Sequence, residues 1–401
     1  MSGRLGCAQQ YSAVIHWRGG GQVYALVPEL TGLAWGRTLN AVSEANISVA
    51  KRSMTPECCQ AVGATEPWIH ELTLYRDTEL VWQGPVRRTV EDRESFVIEA
   101  VDVLGWLEKL VNTWVVRYVA ASGSDDPGPP PANGRYRRPV TEIAQNIIRL
   151  NLMDSGLSVP PDWPNIFDFI VRRDTTAAIR FEKDGSSNTS IWTEYVLFIL
   201  DELTKRGLQY STVGRSILLM DPTTTATLPM ARMSLDDIAG NVEVIRDGTS
   251  TAVLGFATNQ KTDNITGGRT VIVGETGTEY GRLDTLVKLQ TDEDASAGEI
   301  DEELEQAAED ALAGRYPTPI AISVPDGAQL SPTAPVQIHE LVCGWRIDME
   351  TRDFCTQIGQ PFLLTDVAVQ WDQGQEKIAI SLTPLADPYG QPLPPDPDSG
   401  G

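Results

Sequence analysis

Histidine is the residue most often asked to move protons, and the 401-residue chain has only three: His16, His70 and His339. None stands in H-E-x-x-H or H-x-H, the spacings that bring two imidazoles to one metal ion. Each falls in a strand-like run and reads as a strand residue. No G-x-S-x-G surrounds a serine, so the turn that lifts a hydrolase nucleophile above its sheet has no counterpart. Acid pairs such as Asp236-Asp237 and Glu302-Glu303 could serve a glycosidase, but 55 acids in one chain produce adjacent pairs by chance. Five cysteines, at 7, 58, 59, 343 and 355, contain no C-x-x-C, and the adjacent Cys58 and Cys59 cannot bridge each other without strain. They read as reduced thiols. Gly274–Gly281 (GETGTEYG) is glycine-rich but lacks the G-K-[ST] of a phosphate loop and puts two glutamates where phosphate would sit, so it reads as a loop. The residue types therefore call for no catalytic site, no cofactor and no metal.

Composition narrows the class further. Hydrophobic residues make up 41% and charged residues 22%, enough apolar material for several cores. No apolar run of about 18 residues occurs, so stable membrane insertion is not expected. Residues 1–10 carry one Arg and no apolar stretch, so no secretory signal peptide is expected. A formal net charge of −23 repels phosphate backbones and argues against sequence-specific nucleic-acid binding. Ten tryptophans could form sugar platforms, but Trp17, Trp82, Trp106, Trp192 and Trp345 sit in regular apolar patterns and read as packing residues.

The elements follow from periodicity. Tyr11–Trp17 and Val23–Val27 alternate around a glycine turn, a hairpin signal. Leu33–Val49 reads as a further strand region, and Pro56 opens a helix or loop. Ile69–Tyr75, Leu80–Val86 (closed by Gly84-Pro85) and Ser95–Val101 read as three strands with short turns. Asp102 stands at an N-cap, and Val103–Leu110 fits a short amphipathic helix. Residues 121–139 hold five prolines and three glycines and end in Arg135, Arg137 and Arg138, a loop. Val140–Leu152 and Thr193–Arg206 have helical stripes, the second stopped by Gly207. Leu208–Val213 and Ser216–Met220 form a hairpin around Gly214. Strands return at Asn241–Arg246, Thr251–Thr258 and Arg269–Gly274. Thr291–Asp310 carries ten acids and no base, a wet segment leading into a helix at 299–314. Pro335–Leu341, Cys343–Ile347, Phe362–Trp371 and Lys377–Pro384 read as strands, and a Pro/Gly/Asp-rich tail closes the chain.

One stretch carries a likeness. Leu72–Leu110 has a strand ending in Tyr75-Arg76-Asp77, then V-W-x-G-P-V (Val81, Trp82, Gly84, Pro85, Val86), then D-x-L-G-W-L (Asp102, Leu104, Gly105, Trp106, Leu107). It resembles the N-terminal domain of tail-hub proteins of long-tailed bacteriophages, also described as minor tail or baseplate hub proteins. The L-D-E-L-x-x-x-G-L-x-Y of Leu200–Tyr210 and the R-Y that ends Ala307–Tyr316 are similar to later parts of such hubs, in the same order.

The resemblance implies a mixed α+β, β-rich fold, with two small β-barrel-like hub domains separated by an α+β middle domain. The boundaries would be 1–120 for the first barrel-like domain, 121–139 for the loop and 140–230 for the middle domain. A β-rich segment with the acidic loop and helix would span 231–316, the second barrel-like domain 317–388, and a flexible tail 389–401. It implies a homotrimer at the virion tail tip that adapts a sixfold tube to a threefold tip and lines the DNA ejection channel. Implied partners are a distal tail protein or the tail tube above, tail-tip or fibre proteins below, and a tape-measure protein in the lumen. Trp82, Gly84, Pro85, Asp102 and Trp106 are the residues on which barrel integrity is expected to rest. A tail-tip receptor- or carbohydrate-binding protein is the alternative, and a cell-wall hydrolase a third reading.

Overall fold

The computed structural model describes residues 11–27, 30–112, 140–152, 170–173, 194–204, 207–220, 229–239, 242–246, 248–259, 269–288, 297–312, 315, 320–324, 329–330, 334–350, 359–372 and 374–385. The Pro-rich loop with its arginines, Trp192, the start of the acidic run and the C-terminal tail lie outside them.

The N-terminal strands are β1 (Tyr11–Trp17), β2 (Val23–Val27), β3 (Leu30–Thr38), β4 (Glu44–Ala50), β5 (His70–Arg76), β6 (Glu79–Glu91) and β7 (Ser95–Val101), with helix α1 (Pro56–Gly63) after β4. Period-2 alternation sets their inward faces: Tyr11, Ala13 and Ile15 on β1, Ala45, Ile47 and Val49 on β4, Phe96, Ile98 and Ala100 on β7 are all buried. The β1–β2 turn uses Gly19 and Gly20 at φ 97° and 69°, the left-handed values that a side chain resists. Helix α1 starts as the sequence indicates, with Pro56 at its first position and the Thr55 hydroxyl accepting from Cys58 N–H at 3.2 Å.

The middle part contains α2 (Val140–Leu152), β8 (Ile170–Arg173), α3 (Val196–Thr204), β9 (Gln209–Val213) and β10 (Ser216–Met220). The two helices and the β8-β10-β9 sheet share a core of Val103, Leu104, Trp106 and Leu107 with Ile143, Ile147, Leu200 and Leu219 among others. After it come β11 (Pro229–Ser234), β12 (Ile238–Ala239), β13 (Glu243–Arg246), β14 (Leu254–Thr258), β15 (Thr270–Gly274), β16 (Asp284–Lys288) and α4 (Ala297–Leu312). The last strands are β17 (Ile320–Val324), β18 (Gln329–Leu330), β19 (Arg346–Glu350), β20 (Gly359–Asp372) and β21 (Gln375–Pro384).

The fold is β-rich and mixed α+β, as expected. Its centre is a 13-stranded sheet whose ladder runs β13-β17-β21-β20-β3-β4-β7-β6-β5-β1-β2, with β19 on β20 and β11 on β19. The strand sets from the two ends of the chain are thus far apart in sequence but one sheet in space. β3 and β20 join them, from Thr38 opposite Asp366 to Gly32 opposite Asp372. One apolar core serves both sets, from Tyr11 and Ile15 to Ile378 and Leu382. A separate sheet, β15-β14-β16, carries α4 on one face through Leu304 and Ala308.

Five local expectations change, the strand expected at Cys343–Ile347 among them: residues 343–344 form a turn and β19 covers Arg346–Glu350 instead. Leu33–Val49 is two strands, parted at a turn where Asn40 takes φ 57°. β6 does not stop at Gly84-Pro85 but continues to Glu91, because there it exchanges one partner for another: residues 79–85 pair with β5 and 86–91 with β7. Val103–Leu110 holds only a 3-10 turn over Val103–Trp106. Pro335–Leu341 is no strand: Gln337 and Glu340 cap a 3-10 turn over Ile338–Glu340, so His339 is a turn residue.

Candidate functional site

Of the five residues singled out in the sequence, Gly84 and Asp102 meet where β6 runs beside the end of β7, while the two tryptophans go to different cores. Gly84 lies so close to the neighbouring backbone that a Cβ would stand 1.9 Å from Val101 O and 2.7 Å from Asp102 Cα, so only glycine fits. Pro85 follows, opposite Glu71 on β5. Trp82 is buried in the main core. Trp106 is buried in the middle core instead, its ring 5.0 Å from that of Trp68. The D-x-L-G-W-L segment therefore packs into the second core.

Asp102 links the two cores. Its carboxylate caps the 3-10 turn, accepting from Leu104 N–H at 2.9 Å. The other oxygen accepts from Ser43 N–H and from the Thr212 hydroxyl, both at 2.9 Å. Three donors from three segments thus meet on one fully buried acid. Burial raises its pKa to about 6, against the pull of those hydrogen bonds.

Two further polar contacts bind the β9–β10 hairpin to the main sheet. The Asn40 side chain accepts from Tyr210 N–H at 2.9 Å while Tyr210 donates its hydroxyl to Asn40 O at 3.0 Å and also to Asp201. Beside the hairpin's Gly214 turn, Arg215 pairs with Glu71, a carboxylate that also accepts from Gln83 at 3.3 Å and from Gly19 N–H at 3.0 Å. None of Asn40, Glu71 or Arg215 carries a sequence signal, because each finds its partner through the tertiary fold.

The seam between the two ends of the chain holds its own buried charges. Arg76 on β5 grips Glu376 on β21 bidentately, Nε and Nη2 each at 2.9 Å, and Tyr11 donates its hydroxyl to the same carboxylate at 2.5 Å. Burial first, then Glu376, pushes the Tyr11 pKa up. Arg37 is 2% exposed and donates to three backbone carbonyls, of Val81 at 2.7 Å, Leu341 at 2.6 Å and His339 at 3.2 Å. Burial brings its pKa down to about 10. The Cys343 thiol donates back to Arg37 O at 3.1 Å, and burial raises its pKa to about 12, far from a reactive thiolate.

The histidines serve packing. His70 accepts from Glu66 N–H at 2.9 Å and stacks 4.1 Å from Tyr24 and 4.7 Å from Trp17, and burial lowers its pKa. Burial also lowers that of His16. What the molecule offers to partners is strand edge and apolar surface. The ladder ends at β2, where Val23 and Leu26 are 53% and 68% exposed, and at β13, where Ile245 is 40% exposed.

No family model matches the sequence, and no curated protein matches it. Solved structures do. The 43 kDa tail protein of prophage MuSo2 from Shewanella oneidensis superposes with a TM-score of 0.55 at 12% identity, over 95% of this chain and 99% of that one. A tail protein from Neisseria meningitidis MC58 gives 0.55 at 10% identity, again over 95% and 99%. Prophage tail protein gp18 from Listeria monocytogenes EGD-e gives 0.51 at 10% identity, over 92% and 94%. The likeness is one of fold, end to end in both directions, and it is the fold that Leu72–Leu110 resembles.

Proposed function

We propose that the chain is a structural virion protein that forms the trimeric hub of a phage tail tip or baseplate. It would adapt a sixfold tube to a threefold tip and surround the channel through which DNA leaves. The observation that carries this reading is the fold shared over nearly the whole chain with proteins described as tail proteins. A single domain borrowed by an unrelated enzyme would match over a part only. The ladder ends at β2 and β13 among the described residues support it, since a ring needs two edges per subunit that can meet. The charge of −23 supports it too: an acidic wall keeps a passing polyanion from sticking. In this reading the working parts are surfaces. The tail tube or a distal tail protein would contact one side and tip or fibre proteins the other, with a tape-measure protein in the lumen.

The test is the mass of the native protein by light scattering, with negative-stain images of the same sample. Three times 43.8 kDa and a ring outline are expected. A monomer at every concentration, and no ring when tube protein is added, would sink the reading. The Trp17–Tyr24–His70 aromatic cluster, with Trp17 41% exposed, favours receptor or carbohydrate binding as a second reading. Glycan binding by the chain, lost in Trp17→Ala, would turn the argument that way.

A further inference from the structure

His16 stands on β1 directly opposite Glu71 of β5. Both its ring nitrogens are buried without a hydrogen-bond partner of good geometry, although the Gly20 backbone lies near. Glu71 is fully buried, and both its oxygens are occupied. One accepts from Gly19 N–H at 3.0 Å, the other from Gln83 at 3.3 Å and from Arg215. Arg215 comes from the far side of the seam, where it follows Gly214 at the tip of the β9–β10 hairpin, and its side chain is 8% exposed. It lies across the β1–β2 turn: a Cβ on Gly20 would stand 2.5 Å from Gln83 Nε2 and 3.0 Å from Arg215 Cδ. The hairpin tip is thus tied to the main sheet at a single carboxylate that has a histidine beside it.

We propose that this cluster is an acid-sensitive latch: Glu71 holds the hairpin tip through Arg215 while His16 is neutral, and protonation of His16 loosens that hold. The direction follows from charge. With His16 neutral the cluster contains one anion, Glu71, and one cation, Arg215. An imidazolium adds a second cation out of water, and both its N–H groups then need acceptors. Among the described residues the anion in reach is Glu71, whose oxygens are taken, so the new cation competes with Arg215 for it. The other neighbours bring no anion. Val23, opposite His16 on β2, and Gln83 on β6 are neutral, and Arg18, two residues along the chain, is a further cation. Burial, the largest influence, lowers the His16 pKa from the ordinary value of 6.5. The neutral imidazole therefore stabilises the fold above pH 6.5, and that contribution is lost as pH falls below it. The sign is opposite to that of Asp102, whose raised pKa makes its contribution grow as pH falls through 6.

Hydrogen exchange of the full chain, read by mass spectrometry over residues 209–220 and corrected for the intrinsic effect of pH on exchange, tests the latch. It compares the wild type with His16→Gln at pH 7.5 and pH 5. The ratio of wild-type to variant exchange in the hairpin should rise about threefold or more from pH 7.5 to pH 5. Asp102 is present in both proteins and cancels from that ratio. Glu71→Gln removes the anion and should speed exchange of the hairpin already at pH 7.5. If His16→Gln melts early at pH 7.5, His16→Phe repeats the comparison with a ring that cannot titrate. A ratio that is the same at both pH values would overturn the latch, whether the proteins agree or differ by a constant factor, since a constant factor reports packing alone. Hairpin exchange unchanged in Glu71→Gln would overturn it as well, because the tip would then be held without the carboxylate.

Discussion

The main sheet is continuous across the seam between the two ends of the chain, whereas at its seam with the middle core no ladder of strands crosses among the described residues. At the first seam β3 and β20 pair directly, and Arg76, Glu376 and Tyr11 fill the interior. At the second, the contacts include the hydrogen bonds of Asn40 with Tyr210, one of them backbone to backbone, those of Asp102 with Thr212 and Glu71 with Arg215, and the tilted Trp68–Trp106 pair. A ladder tolerates many side chains because backbone groups make it. A seam of side-chain hydrogen bonds depends on single atoms, and on whether one of them carries a proton. The first seam should thus be vulnerable to loss of a charge, and the second to a change of pH.

The largest effect is expected where the seams touch. Gly84→Ala would drive a methyl into Val101 O and displace Asp102, so it disturbs β6, β7 and the middle core together. A loss of more than about 4 kcal/mol is expected by urea unfolding, beyond the ordinary range for a single change. A variant within about 1 kcal/mol of the parent would mean that β6 does not approach β7 as described.

Glu376→Gln strikes the first seam alone. It leaves the Arg76 guanidinium, with its side chain 3% exposed, facing a neutral amide. Removing one partner of a buried pair costs about 3–5 kcal/mol, because the other charge stays out of water. The middle core should keep its near-ultraviolet signature until the main sheet melts. An unchanged midpoint would show that the ladder alone carries the seam.

The two seams were not equally legible. The strands that build them could be read from alternation, and so could the N-cap at Asp102 and the Gly207 and Gly214 turns, both glycines having positive φ. Periodicity reports which way a side chain faces but not what it meets. The partners 300 residues apart in Arg76–Glu376 were therefore invisible. A clue was present all the same. Arg37 shares the inward parity of Leu33 and Trp35, Arg76 that of Leu72 and Leu74, and Glu376 that of Ile378 and Ile380, all of them buried. A charge on an apolar stripe marks a buried ion or a bound carbonyl. Glu71 offers no such clue, since its face of β5 is buried by the middle part only in three dimensions.

Asp102→Asn sharpens the second seam. The folded pKa of about 6 lies above the usual carboxylate value of 3.8, so the folded chain holds the proton more tightly than the unfolded one. The contribution of this group to stability is then complete below pH 4 and declines as pH rises through 6, by about 3 kcal/mol in all. Asparagine cannot titrate. It also presents an amide N–H₂ to one of the two backbone donors, Ser43 N–H or Leu104 N–H, whichever way it is turned. The variant should be less stable than the parent at pH 4, by the lost hydrogen bond and the new donor clash. Its deficit should shrink by about 2 kcal/mol between pH 4 and pH 7, where the parent has to bury a charge and the variant does not. Urea unfolding at the two pH values measures both. A deficit that stays constant would mean that the Asp102 carboxylate is ionised at no extra cost. The second seam would then be no more sensitive to protons than the first.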